Sequence, residues 1–217
     1  FALSSHAKAA AATEEGRFKR EVSAIRELDR DEGIRAGSTL ETLAGLRPAY
    51  YDEAAAARFP QIGWNITAGN ASQVNDGSAA VMITTSEKAK ELGLTPMARL
   101  HSFAVVGDDP LMMLTAVIPA TQKVLAKAGL TMNDIDLFEV NEAFASVVLA
   151  WAKETGADLS KVNVNGGAIA IGHPLGGSGA RIMTTMVHAL AEREQRFGLQ
   201  VMCEAGGLSN ATIVERL

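Results

Sequence analysis

The chain has 217 residues, enough for one large domain or for parts of two. Hydrophobic residues make up 47% and charged residues 21%, which is usual for a soluble globular protein, and the net charge of -5 gives no electrostatic reason to expect nucleic acid or a membrane surface as a partner. The only cysteine, Cys203, excludes an internal disulfide framework and a cysteine-based zinc site. A reducing compartment such as the cytoplasm is therefore expected, and no apolar run approaches the roughly 20 residues of a membrane span.

The first 95 residues are predicted to form short helices and loops, with a domain boundary near residue 95. The chain begins without Met and passes directly into an Ala-rich helix over residues 1–15, capped by Gly16, so we expect a fragment of a longer polypeptide. Further elements are predicted as a short strand near residues 21–25, helical segments at 39–45 and 50–58, a buried strand at 79–84, and a helix at 86–92 that starts from Ser86 as its N-cap.

After residue 95, strands and helices alternate. Strands are predicted at residues 99–106, 135–140, 162–165, 199–203 and 211–215, and helices at 119–128, 142–153 and 174–193. Strands separated by helices of this length predict an α/β fold whose sheet is covered by helices on both faces.

Three polar side chains follow predicted strands: Asn141, His173 and Cys203. Residues 166–179 hold six glycines around His173, which favours tight turns or close backbone approach, and Pro174 suits the start of a helix. A histidine at a helix N-terminus stays neutral and can donate a hydrogen bond, and together with a thiol and an amide it suits chemistry at a carbonyl group. Each residue also has an ordinary structural interpretation, as part of a glycine-rich turn, as a helix cap or as an inert buried cysteine.

The remaining candidates are predicted to be structural. His6 and His188 lie within predicted helices, and His101 starts an apolar strand. Glu142 is expected in the first turn of a helix, where a carboxylate needs no special explanation.

Four ordered motifs resemble those of the thiolase family, the acetyl-CoA acetyltransferases and 3-ketoacyl-CoA thiolases. They are VNEAFA at residues 140–145, VNVNGGAIAIGHP at residues 162–174, Cys203 in a glycine-rich turn, and TAGNAS at residues 67–72 followed by NDG at residues 75–77. Residues 31–35 and 46–50 also resemble the CoA-binding loop region of the family, so the resemblance covers essentially the whole chain.

The resemblance implies a layered αβαβα sandwich in which this chain is the second part of a longer subunit. Residues 1–72 would belong to the CoA-binding loop domain, residues 73–95 would be the last strand and helix of the first core domain, and residues 96–217 would be the second core domain. The nucleophilic cysteine of the family would lie in the missing N-terminal half, since Cys203 matches the second, acid/base cysteine.

The resemblance also implies the roles of individual residues. Cys203 would be the acid/base, His173 would activate the nucleophile and bind a thioester oxygen, Asn141 would position a water, and the backbone N–H of Ala205 would complete a second oxyanion hole. Coenzyme A would be a substrate, with no tightly bound cofactor and no metal. Its expected contacts are Arg35, Ala68, Ser72, Met113 and Phe144.

Departures from the family pattern favour a reshaped acyl pocket. Ala205 and Leu208 stand where the family usually has glycine-rich sequence, residues 114–118 replace a common Gly-Pro pair, and residues 51–66 look longer than in short-chain biosynthetic members. These features resemble lipid- and steroid-catabolising thiolases and favour a degradative enzyme. The alternatives are a biosynthetic acetoacetyl-CoA thiolase and a non-catalytic CoA-binding subunit that lacks the nucleophile. Family members are commonly homodimers or homotetramers.

Overall fold

The computed structural model describes all residues from 1 to 217. The N-terminal region contains four helices joined by long loops, and the C-terminal region contains a four-stranded sheet with its own helices. The N-terminal helices are α1 (Ala2–Glu14), α2 (Leu40–Ala44), α3 (Glu53–Arg58) and α4 (Ser86–Glu91). Gly16, which was predicted to cap the first helix, follows α1 in a left-handed conformation (φ +74°).

The sheet is mixed and has the strand order β1-β4-β3-β2. Its strands are β1 (Ala98–Gly107), β2 (Leu137–Val140), β3 (Phe197–Glu204) and β4 (Leu208–Arg216), and its helices are α5 (Val117–Ala128), α6 (Ala145–Thr155), α7 (Ala168–Ile171) and α8 (Ser178–Glu192). β4 is antiparallel to both of its neighbours, whereas β2 and β3 are parallel, with Val140 opposite Val201. The carboxyl ends of β2 and β3 therefore meet at one edge of the sheet.

Helices cover both faces of the sheet, as the α/β prediction required. Helices α5 and α6 pack on one face around the largest apolar cluster, which contains Phe138, Trp151 and Ile213. Helix α8 packs on the other face, where Met186 and Leu190 contact Leu137. None of the helices combines the length and the apolar character that crossing a bilayer would need.

Helix α1 connects the N-terminal region to the C-terminal one. Its Ala9 and Ala12 pack against Ala170 and Ile171 of α7, with Phe18 closing the cluster. Small alanine side chains allow the two helices to approach closely, so α7 and the loop after it are held from the N-terminal side.

Three predicted strands are not formed. Residues 17–20 form a 3-10 turn, and only a single bridge joins Ile25 to Leu28. Residues 79–84 make no ladder hydrogen bonds, and Met82 is 81% exposed, because no other strand pairs with them. At residues 162–165 the side chain of Asn163 replaces a ladder, since its Oδ1 accepts from the Val140 N–H at 2.8 Å and its Nδ2 donates to the Val140 carbonyl at 2.9 Å.

Two helices of the C-terminal region begin later than predicted. Phe144 is extended (φ −142°, ψ 152°) and bridges Ala71, so α6 starts at residue 145 instead of 142. The predicted helix at residues 174–193 starts only at residue 178, after a turn in which the Gly177 N–H donates to the Pro174 carbonyl, and a separate short helix, α7, precedes it. Glu142 therefore lies in a loop, which corrects its expected place in a first helical turn.

A buried hydrogen bond between α5 and α6 offers a test of this packing. Trp151 Nε1 donates to Thr121 Oγ1 at 2.8 Å, and both residues are fully buried. Thr121→Val keeps the shape but leaves the indole N–H without an acceptor, so the free energy of unfolding should fall by about 1–3 kcal/mol in a urea titration. The control is Thr184→Val at a half-buried position of α8, which should change the free energy of unfolding by no more than about 0.5 kcal/mol. Equal effects of the two variants would contradict a stabilising role of the Trp151–Thr121 hydrogen bond.

Candidate functional site

Asn141 and Cys203 meet at the sheet edge where β2 and β3 end. The Asn141 N–H donates to the Val201 carbonyl at 3.0 Å, which extends the parallel pairing by one residue. Its side-chain Nδ2 lies 3.5 Å from Cys203 Sγ and donates to it. Asn141 Oδ1 is buried and has no hydrogen-bond partner. The site thus pairs a thiol with an amide that has one unused acceptor.

The surroundings of Cys203 favour the protonated thiol. The side chain is half-buried at the end of β3. Burial raises the pKa of Cys203, the hydrogen bond from Asn141 lowers it, and the neighbouring Glu204 raises it. Burial is the largest of these effects, so the thiol holds its proton more firmly than an exposed cysteine does.

His173 lies in the loop between α7 and α8. Its backbone N–H donates to the Gln73 backbone carbonyl at 2.9 Å, and its ring atom Nδ1 is 2.7 Å from Ser178 Oγ at the start of α8. The same hydroxyl lies 3.0 Å from the Pro174 carbonyl. Burial lowers the pKa of His173, which favours a neutral ring, and the contact of Nδ1 with Ser178 orients that ring.

Gln73 is a residue of this region that the sequence reasoning missed. Its Nε2 donates to the Gly33 carbonyl at 2.8 Å and to the Ile169 carbonyl at 2.7 Å, while its own carbonyl receives the His173 N–H. Gln73 therefore ties the histidine loop to α7 and to the N-terminal region. Its only sequence signal is its place directly after the TAGNAS motif.

Glu142 was expected to have a structural role in a first helical turn, and the contacts that give it a different place were missed. It is fully buried, and its oxygens accept from Ser5 Oγ at 2.7 Å, from Asn163 Nδ2 at 2.8 Å and from the Ile169 N–H at 3.0 Å. Burial raises the pKa of Glu142, whereas these three donors and the nearby Lys8 lower it. The carboxylate joins the end of β2, α1 and α7.

The glycines of residues 166–179 have separate structural reasons. A Cβ at Gly167 would stand 2.5 Å from Glu142 Oε1, so glycine leaves the room that this carboxylate occupies. Gly172 has φ +85°, and a Cβ there would collide with the side chain of Asn75. By contrast, a Cβ at Gly176 would meet nothing within 4 Å. Glycine is therefore required at positions 167 and 172 by close contacts with Glu142 and Asn75, and not at position 176.

Three of the five residues predicted to contact CoA lie close together. The segment at residues 67–72 runs beside the start of α6: the Ser72 N–H donates to the Ala143 carbonyl at 3.0 Å, and Ala71 bridges Phe144. Ala68 is exposed in the same segment. Phe144 also packs edge-to-face with Tyr50, with ring centroids 6.0 Å apart. Ala68, Ser72 and Phe144 thus share one surface.

The other two predicted CoA contacts lie on different segments. Arg35 has an exposed side chain, and its N–H donates to Nδ1 of the buried His6 at 3.1 Å. Met113 is half-buried in the loop before α5, with a left-handed backbone (φ +53°). No hydrogen bond joins either residue to the surface of Ala68, Ser72 and Phe144.

Ala205 lies exposed in the turn between β3 and β4, two residues after Cys203. Its N–H takes part in none of the turn's backbone hydrogen bonds. The left-handed positions of this turn are Gly206 (φ +77°) and Gly207 (φ +81°). No group of three or more His, Cys, Asp or Glu side chains is arranged to hold a metal ion.

Comparison with known proteins identifies the family. The family model described as the thiolase C-terminal domain matches residues 94–216, and the thiolase N-terminal domain matches residues 1–87. The chain belongs to the thiolase family. The solved structure of human mitochondrial 3-ketoacyl-CoA thiolase in complex with CoA superposes on it with a TM-score of 0.89 at 40% identity, covering 100% of this thiolase chain and 53% of the human one.

Curated thiolases are also similar in sequence. The steroid 3-ketoacyl-CoA thiolase FadA6 of Mycobacterium tuberculosis is 46% identical over 100% of this chain and 51% of its own length. The acetyl-CoA acetyltransferase of Escherichia coli is 47% identical over 100% of this chain and 54% of its own length. The chain therefore spans about half the length of the curated relatives it matches.

The close approach of Gly167 to Glu142 predicts a severe effect of a single methyl group. Gly167→Ala should lower the free energy of unfolding by about 1–3 kcal/mol, because the added Cβ overpacks a buried site. Gly176→Ala, in the same glycine-rich stretch but with open space around it, should change it by no more than about 0.5 kcal/mol. Urea titrations of both variants make the comparison, and a Gly167→Ala variant as stable as Gly176→Ala would refute it.

Proposed function

We propose that this chain is the C-terminal part of a thiolase that transfers an acyl group between a 3-oxoacyl-CoA and CoA. The observation that carries the proposal is the contact between Asn141 and Cys203 at the edge where two parallel strands end, within motifs of the thiolase family. A thiol and an amide with a free acceptor, together with a neutral histidine in the next loop, suit chemistry at a thioester carbonyl.

In the proposed reaction, a cysteine thiolate from the N-terminal half of the subunit attacks the C3 carbonyl of the 3-oxoacyl-CoA. The C2–C3 bond breaks, the acyl group stays on that cysteine as a thioester, and the electron pair leaves on acetyl-CoA as an enolate. Cys203 gives its proton to the enolate carbon. The thiol of a free CoA then gives its proton to the Cys203 thiolate and attacks the acyl-cysteine. This releases the acyl group as acyl-CoA and the first cysteine as a thiolate, so one difficult step is divided into two.

The electrostatics of this chain support these assignments. Burial raises the pKa of Cys203, which suits a thiol that must keep its proton until the enolate forms. Burial lowers the pKa of His173, which suits a neutral ring that activates the nucleophile and donates to a thioester oxygen. Asn141 Oδ1, buried and without a partner, is available to accept from the water that completes this oxyanion hole. The free N–H of Ala205 would serve the second one.

Coenzyme A is the proposed shared substrate, and no tightly bound cofactor is required. The surface formed by Ala68, Ser72 and Phe144 is its proposed contact, with Arg35 and Met113 as further contacts. Support comes from the similar human thiolase, which was solved in complex with CoA.

The proposed subunit follows the domain arrangement of the family. Residues 1–72 are assigned to the CoA-binding loop domain, residues 73–95 to the end of the first core domain, and residues 96–217 to the second core domain. The N-terminal half of the same subunit is the first proposed partner, in a cytoplasmic homodimer or homotetramer.

The proposed direction is degradation of a lipid or steroid acyl-CoA. The resemblance to a steroid thiolase and the methyl group of Ala205, two residues after Cys203, support it. The similarity to acetyl-CoA acetyltransferases favours a second candidate, the formation of acetoacetyl-CoA from two acetyl-CoA.

Thiolysis of 3-oxoacyl-CoA substrates of increasing length by the native polypeptide that contains this chain tests the proposal. We expect CoA-dependent cleavage with kcat/KM rising from acetoacetyl-CoA to longer or bulkier substrates. A strong preference for acetoacetyl-CoA would instead support the biosynthetic candidate. Intact-mass measurement and sequencing upstream of Phe1 accompany the assay, because a polypeptide without a preceding cysteine would be a non-catalytic CoA-binding subunit.

Two variants should separate the two half-reactions. Cys203→Ser should stop carbon–carbon cleavage, because the enolate loses its acid, while the acyl-enzyme still forms from a simple acyl-CoA. His173→Ala should slow both half-reactions by roughly 10²–10³-fold, the usual cost of losing an oxyanion donor. Acyl transfer to the enzyme and thiolysis are measured separately, with His188→Ala on the outer part of α8 as control. Equal loss of both half-reactions in Cys203→Ser would refute its role.

A further inference from the structure

Glu142 links the end of β2 to α7, and the proposed reaction makes no use of it. It directly follows Asn141, and it accepts a hydrogen bond from the Ile169 N–H in α7, the helix that leads to His173. It is fully buried, so it cannot reach solvent or a substrate. Glu142 therefore lies between Asn141 and the helix that leads to His173, and the proposed chemistry needs both of these residues.

The hydrogen bonds of Glu142 require a carboxylate. Its two oxygens receive three donors, from Ser5, Asn163 and Ile169, and they face no acceptor. Asn163 cannot turn its amide around, because both ends of that amide also pair with the backbone of Val140. A glutamine at position 142 would therefore place its own NH₂ group against another donor.

Glu139 shows that burial alone does not explain Glu142. It lies three residues earlier on β2 and is almost as deeply buried, but its side chain makes no hydrogen bond to α7. Burial and the nearby Glu142 raise the pKa of Glu139 well above its usual range. A glutamine at position 139 therefore resembles the protonated native side chain.

Ser5 extends the contacts of Glu142 to the glycine-rich loop. Its hydroxyl donates to Glu142 Oε2 and accepts from the Gly167 N–H at 3.0 Å. The space for this arrangement exists only because residue 167 has no side chain. The carboxylate thus holds the start of α7 at two points, directly through the Ile169 N–H and through Ser5 at the Gly167 N–H.

We propose that Glu142 is a positioning residue, which holds Asn141 and His173 at the separation that acyl transfer requires. The inference rests on the proposed thiolase function. Disturbing the three hydrogen bonds shifts α7 and the loop after it relative to the end of β2. A displacement of about 1 Å far from the reacting atoms can cost roughly 10²-fold in rate, so the effect belongs to kcat rather than to CoA binding.

The test compares Glu142→Gln with Glu139→Gln in the native polypeptide that contains this chain. We expect Glu142→Gln to lower kcat for thiolysis by about 10- to 100-fold, with the KM for CoA matching that of Glu139→Gln. Its thermal midpoint should lie below that of Glu139→Gln, because a buried donor then faces another donor. Glu139→Gln should keep the kcat of the wild type. If Glu142→Gln folds and its kcat equals that of Glu139→Gln, the inference is wrong.

A milder variant decides the matter where Glu142→Gln fails to fold. Ser5→Ala removes one of the three donors and should lower kcat by about 3- to 10-fold, the worth of one hydrogen bond, whereas Ser4→Ala, at its exposed neighbour, should not change it. Unchanged kcat in Ser5→Ala overturns the inference. An inactive wild type would overturn the proposed function and this inference together, while an active wild type with unaffected variants overturns the inference alone.

Discussion

The need to satisfy one buried carboxylate couples distant parts of this chain. Taking an ionised Glu142 out of water costs several kcal/mol unless hydrogen bonds replace its hydration. The replacements come from Ser5, 137 residues earlier, and from Asn163 and Ile169, 21 and 27 residues later. A buried carboxylate with only some of its hydrogen bonds destabilises the fold more than an apolar side chain would. The three segments that supply or carry these groups must therefore reach their positions together: α1, the end of β2 and the glycine-rich loop. The site geometry is therefore a property of the whole chain rather than of its motifs.

Much of the fold and part of the candidate site could be predicted because they depend on local pattern. Apolar runs separated by helical segments indicated a sheet covered on both faces, and the left-handed glycines stand at the ends of α5 and α6. Parallel strands place their carboxyl ends at one edge, so the proximity of Asn141 and Cys203 follows once β2 and β3 are recognised as neighbours. His173 was placed correctly in a loop before a helix, although that helix begins four residues later than expected.

The remaining features depend on contacts that no local pattern reveals. Residues 79–84 have the apolar composition of a strand, but a strand needs a partner, and no segment of the chain provides one. Asn163 reads as part of a short strand, yet its side-chain amide takes over the hydrogen bonds of a ladder. Gln73 and Glu142 are polar residues beside motifs, and their importance appears only when residues more than 20 positions away converge on them. Sequence spacing alone could not distinguish them from solvated side chains.

The departure at Ala205 illustrates how a family motif can change without losing its backbone geometry. A glycine in this turn would be irreplaceable only where the backbone is left-handed, and those positions are Gly206 and Gly207. A Cβ at Gly207 would also stand 2.6 Å from the Asp108 carbonyl, whereas Ala205 is exposed and unstrained. The N–H at residue 205 is therefore kept while a methyl group is added two residues from the thiol. Any effect of this alanine on acyl specificity must then come from the space it fills, because the conformation of the turn does not require a glycine there.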